Sequence, residues 1–351
     1  MTTAAYYDDS STLDYTGTMD YTEYEVLCEK AVANLQFRLW FMPVFYAITF
    51  VLGLVGNCLV IFTFLYFRRL KSMTDVYLLN LAFSDLLFAL SLPFWAANAM
   101  AEWVLGLFMC KAMHTVYKVS FYSSMLLLSC ISVDRYFAIT KAVCMQRHRA
   151  KATFLSKLSS AIIWVLALVF SVPEMKYASV QVTCTPYSLT DSSLSMEVSI
   201  QSIQIAMGFV VPLLVMTFCY CAIAMKLWRS RSFERDRALK VILVVVVAFL
   251  FCHVPYTLVL FLSTLDASFG NSNNCSHEKA LLFASDVTQY LAFLRCCINP
   301  FVYAFIGVKF RHDLLKLMRE MGCITYDSFY KYSGRKSSVA DTETTTTFSR
   351  A

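Results

Sequence analysis

The sequence predicts an all-α membrane protein, a seven-transmembrane helix bundle with a short amphipathic eighth helix. Of 351 residues, 58% are hydrophobic and only 15% are charged. That is too little charge to cover a soluble domain of this size. Seven stretches each offer the roughly 20 mostly apolar residues that a helical crossing needs. The basic residues fall on one side of those crossings. Open β structure would leave backbone groups unpaired in lipid, so the stretches must be helical. Buried helices of a large soluble protein are the alternative. Such helices usually keep a polar face, whereas Val241–Phe251 is apolar on every side.

The spans are expected at Leu39–Phe67, Asp75–Ala101, Leu107–Thr140, Thr153–Met175, Met196–Trp228, Arg237–Leu265 and Lys279–Phe305. Arg68, Arg69 and Lys71 follow the first. Arg147, Arg149 and Lys151 separate the third and fourth. Lys226, Arg229, Arg231, Arg235, Arg237 and Lys240 separate the fifth and sixth, and Lys309, Arg311, Lys316 and Arg319 follow the seventh. All four groups lie on one face of a seven-span chain. The positive-inside rule makes that face cytoplasmic and the N-terminus extracellular. The formal charge of +6 is thus a topology signal, and no strong basic patch remains for nucleic acid. Met1–Asp20 is polar and lacks an apolar h-region, so no cleavable signal peptide is expected and the first span would direct export.

Four regions follow: an extracellular acidic tail (residues 1–38), the bundle (39–306), an amphipathic helix (307–322) and a cytoplasmic tail (323–351). Met1–Leu27 holds Asp8, Asp9, Asp14, Asp20, Glu23 and Glu25 without Lys or Arg, interleaved with Tyr6, Tyr7, Tyr15, Tyr21 and Tyr24. Such a segment cannot bury a core. It reads either as a solvated tail or as an anionic lure for a basic partner, with the tyrosines as sulfation sites.

Of thirteen cysteines, most lie within spans, where a thiol packs as a small hydrophobe. Cys28, Cys110, Cys184 and Cys275 fall on the outer side and suggest two disulfides. Three pairings are possible and the sequence does not choose. Joining elements that neighbour one another in a closed ring gives Cys110–Cys184 and Cys28–Cys275. Asn274-Cys275-Ser276 is a weak glycosylation sequon.

Ionisable groups within spans are costly and usually functional. Asn57, Asp85, Ser124 and Asn299 share a depth and suggest a buried polar cluster around a cation, or plain interhelical hydrogen bonding. Arg295 lies four residues before Asn299 on the same face and needs an acid. Asp85 is the expected partner, and the pairing would weaken or replace sodium there. Pro93, Pro173, Pro212, Pro255 and Pro300 are expected to bend their spans. Trp95, Tyr117, Lys118, Tyr256, Asp286 and Gln289 lie toward the outer half as an aromatic pocket with polar anchors.

Asp134-Arg135-Tyr136 near the inner end of span three and Asn299-Pro300-Phe301-Val302-Tyr303 in span seven join Asn57, Asp85, Trp164 and Pro212, each in its own span. Over the whole chain this set resembles the rhodopsin-like receptors. Ser91-Leu92-Pro93-Phe94-Trp95, Met73–Leu81 (MTDVYLLNL) and the four outer cysteines are similar to the chemokine receptor family. Cys296-Cys297-Ile298-Asn299-Pro300 points to its C-C subgroup. Arg147–Ala150, Ala304–Arg311 and Thr342–Ser349 (TETTTTFS) narrow the likeness to one receptor type within it.

The resemblance implies basic chemokine ligands caught by the acidic tail, with the ligand's flexible N-terminus entering the pocket. It implies an inhibitory-class G protein inside, with Arg135 paired to Asp134 at rest and Tyr220 and Tyr303 restacking beside it on activation. It also implies receptor kinases and arrestin acting on Ser337, Ser338, Thr342, Thr344, Thr345, Thr346, Thr347 and Ser349. Two departures stand out. His253 occupies a position where many members carry Trp, and Gln289 one where many chemokine receptors carry Glu, so Asp286 would have to replace that acid.

Behind span seven, Phe310, Leu314, Leu317 and Met321 are spaced for a helix lying on the bilayer, and Cys323 is placed for palmitoylation. A scavenging receptor working through arrestin alone is the competing reading; the intact Asp134-Arg135-Tyr136 favours signalling. A transporter would show an inverted repeat. An enzyme would show a nucleophile–base pair or metal-spaced ligands. The sequence shows none of these, so no catalysis, metal or cofactor is expected.

Overall fold

The computed structural model describes residues 40–67, 72–100, 103–140, 149–180, 184–185, 194–228, 236–269, 275–306 and 308–324. Among them, seven helices are long and apolar enough to cross a membrane: Met42–Tyr66, Met73–Met100, Gly106–Thr140, Lys151–Tyr177, Val198–Lys226, Leu243–Asp266 and Ala280–Ala304. They are called spans one to seven below. The acidic tail with its tyrosines, Cys28 and the serine- and threonine-rich end all lie outside the described residues, as do Arg68, Arg69, Lys71, Arg147, Arg229, Arg231 and Arg235.

Neighbouring spans close a ring: one packs on two and seven, three on two, four and five, and six on seven and on the outer part of five. Span three runs through the middle. Within its most apolar window 67% of residues are buried, against 33% for span one. Span one instead turns Val44, Ile48, Val51, Val55 and Phe62 outward. In water such a belt would be an aggregation surface; in a bilayer it is the lipid contact. The interior splits into an inner apolar cluster around Met125, Leu128, Ile131 and Phe249 and an outer one around Phe88, Leu92, Tyr117 and Phe293.

Proline acts differently in different spans. Pro93, Pro255 and Pro300 sit inside continuous helices. Pro173 instead opens a new piece. The span-four helix Arg149–Phe170 stops, Ser171 bonds back to Ala167 through its amide and its hydroxyl, and a separate helix runs Val172–Tyr177 with proline in its first turn. Proline is tolerated there because a first-turn N–H has no helical partner to lose. Pro212 is the second residue after a π-helical turn, Ala206–Val210, set between helices Leu194–Ile205 and Val211–Trp228. Gly208 lies in that turn, where an added Cβ would stand 2.6 Å from Tyr122 Cε1. Its missing side chain lets span five close on span three.

Two features outside the spans shape the outer rim. A short antiparallel hairpin pairs Ser179 with Thr185 and Val180 with Cys184, and a disulfide joins Cys184 to Cys110 at the start of span three, Cα to Cα 5.6 Å. Gly106 has φ +78° at the turn into span three, and its carbonyl accepts the Trp103 indole N–H at 2.9 Å. At the opposite end the eighth helix, Val308–Glu320, rests on the bundle: Phe310 packs near Phe64 and Tyr303 and Leu317 is buried. The Cys323 amide bonds back to the Met318 carbonyl at 2.8 Å and Gly322 takes φ +75°, a left-handed helix ending. Met321 therefore falls past the helix, and it is exposed. The apolar stripe read from the sequence ends at Leu317.

Candidate ligand cavity and activation core

Three levels of the bundle carry the singled-out residues. At the outer level, one cavity between spans three, five and six brings together Tyr117, Lys118, Phe121, Gln204, Phe209 and Tyr256. Trp95 lies outside its lining. Its ring packs against His114, Tyr117 and Phe293 at 5.1–5.8 Å, forming the aromatic wall between spans two, three and seven. Asp286 and Gln289 are half-buried on span seven and also lie outside that lining. Lys118 is held by Glu174 at 3.5 Å, and Gln204 donates to the same carboxylate at 2.8 Å. Neither Glu174 nor Gln204 stood out in the sequence. Glu174 reads as the edge of span four, and only the helix break at Ser171 turns it inward.

At the middle level Asp85 is fully buried and Arg295 is 2% exposed. Their charged atoms approach to 3.4 Å. The Asn299 amide donates to the other Asp85 oxygen at 2.6 Å, and the Arg295 guanidinium donates to the Ser120 hydroxyl at 2.9 Å. Its flat face lies 5.5 Å from the Phe249 ring centre and 5.9 Å from that of Phe88. The guanidinium thus stands where the sequence reading placed a cation, and it ties spans two, three and seven together.

Ser124 joins through Ser84, whose hydroxyl lies within 2.8–3.3 Å of those of Ser120, Ser123 and Ser124. Asn57 sits apart from the ion pair. Its amide donates to the Gly53 and Cys296 carbonyls, so it locks span one onto the backbone of span seven. Ser124 was expected in the cluster from its depth; the convergence of Ser84, Ser120 and Ser123 beside it depends on the crossing of spans two and three. His253 is 1% exposed, and neither ring nitrogen has a hydrogen-bond partner among the described residues. It stacks on Phe249 at 4.4 Å and lies 5.2 Å from Phe121, so it links the cavity wall to the ring under Arg295.

At the inner level Asp134 accepts from Arg135 at 3.1 Å and from the Thr74 hydroxyl of span two. Thr74 was not foreseen. The Arg135 Nε and the hydroxyls of Tyr220 and Tyr303 have no hydrogen-bond partner among the described residues. Tyr136 faces Phe218, ring centres 6.2 Å apart. Trp164 donates to Asn80 at 3.0 Å, joining spans two and four. Cys323 is exposed.

Residues 56–303 match the family described as 7 transmembrane receptor (rhodopsin family). The human C-C chemokine receptor type 7 is 48% identical over 97% of this chain and 93% of its own length. The chain belongs to the chemokine receptors of the rhodopsin family. It is therefore a multi-pass membrane receptor, of a class distinct from enzymes. The narrower likeness carried by Arg147–Ala150, Ala304–Arg311 and Thr342–Ser349 is to this same type 7. The human C-C chemokine receptor type 9 is 36% identical over 95% of this chain and 91% of its length. The human atypical chemokine receptor 4 is 37% identical over 90% and 89%.

Proposed function

We propose that the chain is a plasma-membrane receptor for C-C chemokines, with its N-terminus outside, that couples to an inhibitory-class G protein to drive calcium mobilisation and leukocyte chemotaxis. The observation that carries the coupling is the inner face. Arg135 is held by Asp134, which Thr74 also engages, while Arg135 Nε and the hydroxyls of Tyr220 and Tyr303 have no hydrogen-bond partner among the described residues. That is a restrained cation with ready new partners, as a switch requires. A scavenging receptor would need no such arrangement, and the scavenging reading is weaker for that reason.

The acidic tail and its tyrosines form the first capture surface for a basic chemokine. The cavity at Tyr117, Lys118 and Tyr256 receives the ligand's N-terminus, with Trp95 packed behind Tyr117 and Asp286 and Gln289 bordering the entrance from span seven. Cys28 bridges to Cys275 and ties the tail to the rim. Ligand contact shifts a two-state equilibrium; moving it from 1:99 to 99:1 takes about 5.5 kcal/mol of differential affinity. The Arg295 guanidinium takes the place of a sodium ion beside Asp85. His253 sets the transition between the cavity and the ion pair. Cys323 is acylated, and the phosphorylated residues 337–349 recruit arrestin.

The test expresses the receptor in cells and measures calcium release, inhibition of cyclic AMP and arrestin recruitment against a panel of C-C chemokines. A graded cyclic AMP response to at least one ligand is expected. Uptake and arrestin recruitment without any G-protein response would replace this reading with the scavenging one.

A further inference from the structure

We propose that Cys110, Cys184 and His114 form a zinc site that opens when the disulfide between the two cysteines is reduced. The two Sγ atoms and one imidazole nitrogen of His114 all lie within 4.8 Å of one another. Cys110 is 0%, Cys184 4% and His114 5% exposed. His114 Nε2 has no hydrogen-bond partner among the described residues. A buried polar atom left unpaired is costly, and a neutral imidazole keeps one lone pair for a metal.

Two elements build the set. Cys110 and His114 are four residues apart and share one face of span three. Cys184 comes from the hairpin, which is why the sequence showed no metal spacing. The Trp95 ring packs edge-on against that of His114, centres 5.1 Å apart, and fixes its orientation. Cys184 does not depend on the disulfide alone for its place. Its amide donates to Asn98 Oδ1 at 2.8 Å, its carbonyl accepts from Asn98 Nδ2 at 3.2 Å, and it pairs with Val180 in the hairpin. With the S–S bond open, these contacts keep the Cys184 backbone within reach of Cys110.

Tetrahedral zinc takes thiolate sulfur at about 2.3 Å, which sets two such sulfurs about 3.8 Å apart, and imidazole nitrogen at about 2.0–2.1 Å. Side-chain rotation supplies that spacing once the covalent bond is broken, since the two Cα atoms are 5.6 Å apart. A dithiol supplies the electrons. It is oxidised to its own disulfide, and the Cys110–Cys184 bond takes up two electrons and two protons to give two thiols. Zn2+ then displaces both thiol protons. Two thiolates cancel its charge and the imidazole is neutral, so the buried site carries no net charge. Thiolate and imidazole donors suit zinc and not magnesium or calcium, and a water completes the fourth position. The metal then keeps the hairpin on span three when the covalent tie is lost.

The experiment uses the full-length receptor in detergent, oxidised and after anaerobic treatment with dithiothreitol that is then removed. Zn2+ alone is the probe. The oxidised receptor should melt at the same temperature with and without it. The reduced receptor should melt about 5–10 °C higher when Zn2+ exceeds its dissociation constant about a hundredfold. His114→Phe keeps a ring against Trp95 and keeps the disulfide; once reduced, it should need about tenfold or more Zn2+ for the same rise. Alkylation read by mass spectrometry tests the native chain without any variant. In the reduced receptor Zn2+ should shield Cys110 and Cys184 from alkylation, while the exposed Cys323 stays reactive. An unchanged melting temperature, an equal rise in His114→Phe, no zinc-dependent shielding of Cys110 and Cys184, or a disulfide that dithiothreitol does not open would each overturn the proposal.

Discussion

Replacing either member of the Asp85–Arg295 pair should destabilise the receptor far more than replacing both. Removing one partner of a buried ion pair leaves an uncompensated charge and typically costs about 3–5 kcal/mol. The surroundings place each variant within that range. In Arg295→Met, Asp85 keeps the Asn299 amide at 2.6 Å, so the loss should lie near ~3 kcal/mol. In Asp85→Asn, the guanidinium keeps the Ser120 hydroxyl and two ring faces. None of these carries charge, so the loss should approach ~5 kcal/mol. The double variant buries no charge and should recover most of the loss, within roughly 1–2 kcal/mol of the native protein; the cycle isolates the pair term.

Thermal unfolding of the detergent-solubilised receptor reads this directly. At about 2–4 °C per kcal/mol, each single variant should fall by ~6 °C or more, with the double variant well above both. Because the guanidinium already faces Asp85, exchanging sodium for choline should leave the native melting temperature unchanged. Additive losses in the double variant would refute the reasoning, as would a sodium-dependent rise in melting temperature that Asp85→Asn abolishes.

His253→Phe removes two buried nitrogens that have no hydrogen-bond partner among the described residues while keeping a ring between Phe249 and Phe121. Melting should rise by the equivalent of about 1–3 kcal/mol, and a fall would show that the imidazole has a partner such as a buried water. Gly208→Ala drives a Cβ into Tyr122 and should cost about 1–3 kcal/mol, measured as lower melting and lower surface expression; a neutral result would mean that spans three and five part easily. Cys110→Ser frees the hairpin at Cys184 and should cost roughly 2–5 kcal/mol, read as a loss of chemokine binding at matched surface level. Unchanged binding would separate the hairpin from the ligand site.

The spans were legible because lipid imposes a length and a composition that a single sequence displays. Their ends shifted by a few residues, since apolar composition fades gradually whereas hydrogen bonding stops at a given residue. The break at Ser171 and the π-turn at Ala206–Val210 were not legible. Each depends on how the helix meets span three, and a proline alone states only that a bend is available. The Asp85–Arg295 pairing followed from cost, because a guanidinium at that depth needs an acid and few lay within reach.

Glu174 escaped for the opposite reason: at the apparent edge of a span a carboxylate looks solvated, and only the fold shows it buried. Trp95 illustrates a further limit. Depth and residue type suggested a pocket wall, yet which side of the helix it faces was decided by packing on His114 and Phe293. Cys296-Cys297-Ile298-Asn299-Pro300 carried subgroup information whose structural role came later, when the Cys296 carbonyl proved to be the acceptor for Asn57.

The central claim is coupling of C-C chemokine binding to an inhibitory-class G protein, and its most direct test is cyclic AMP in living cells with and without pertussis toxin. A C-C chemokine should suppress forskolin-raised cyclic AMP through the native receptor, pertussis toxin should abolish that suppression, and Arg135→Ala should reproduce the toxin's effect. Chemokine uptake that proceeds with no change in cyclic AMP, toxin or not, would contradict the account.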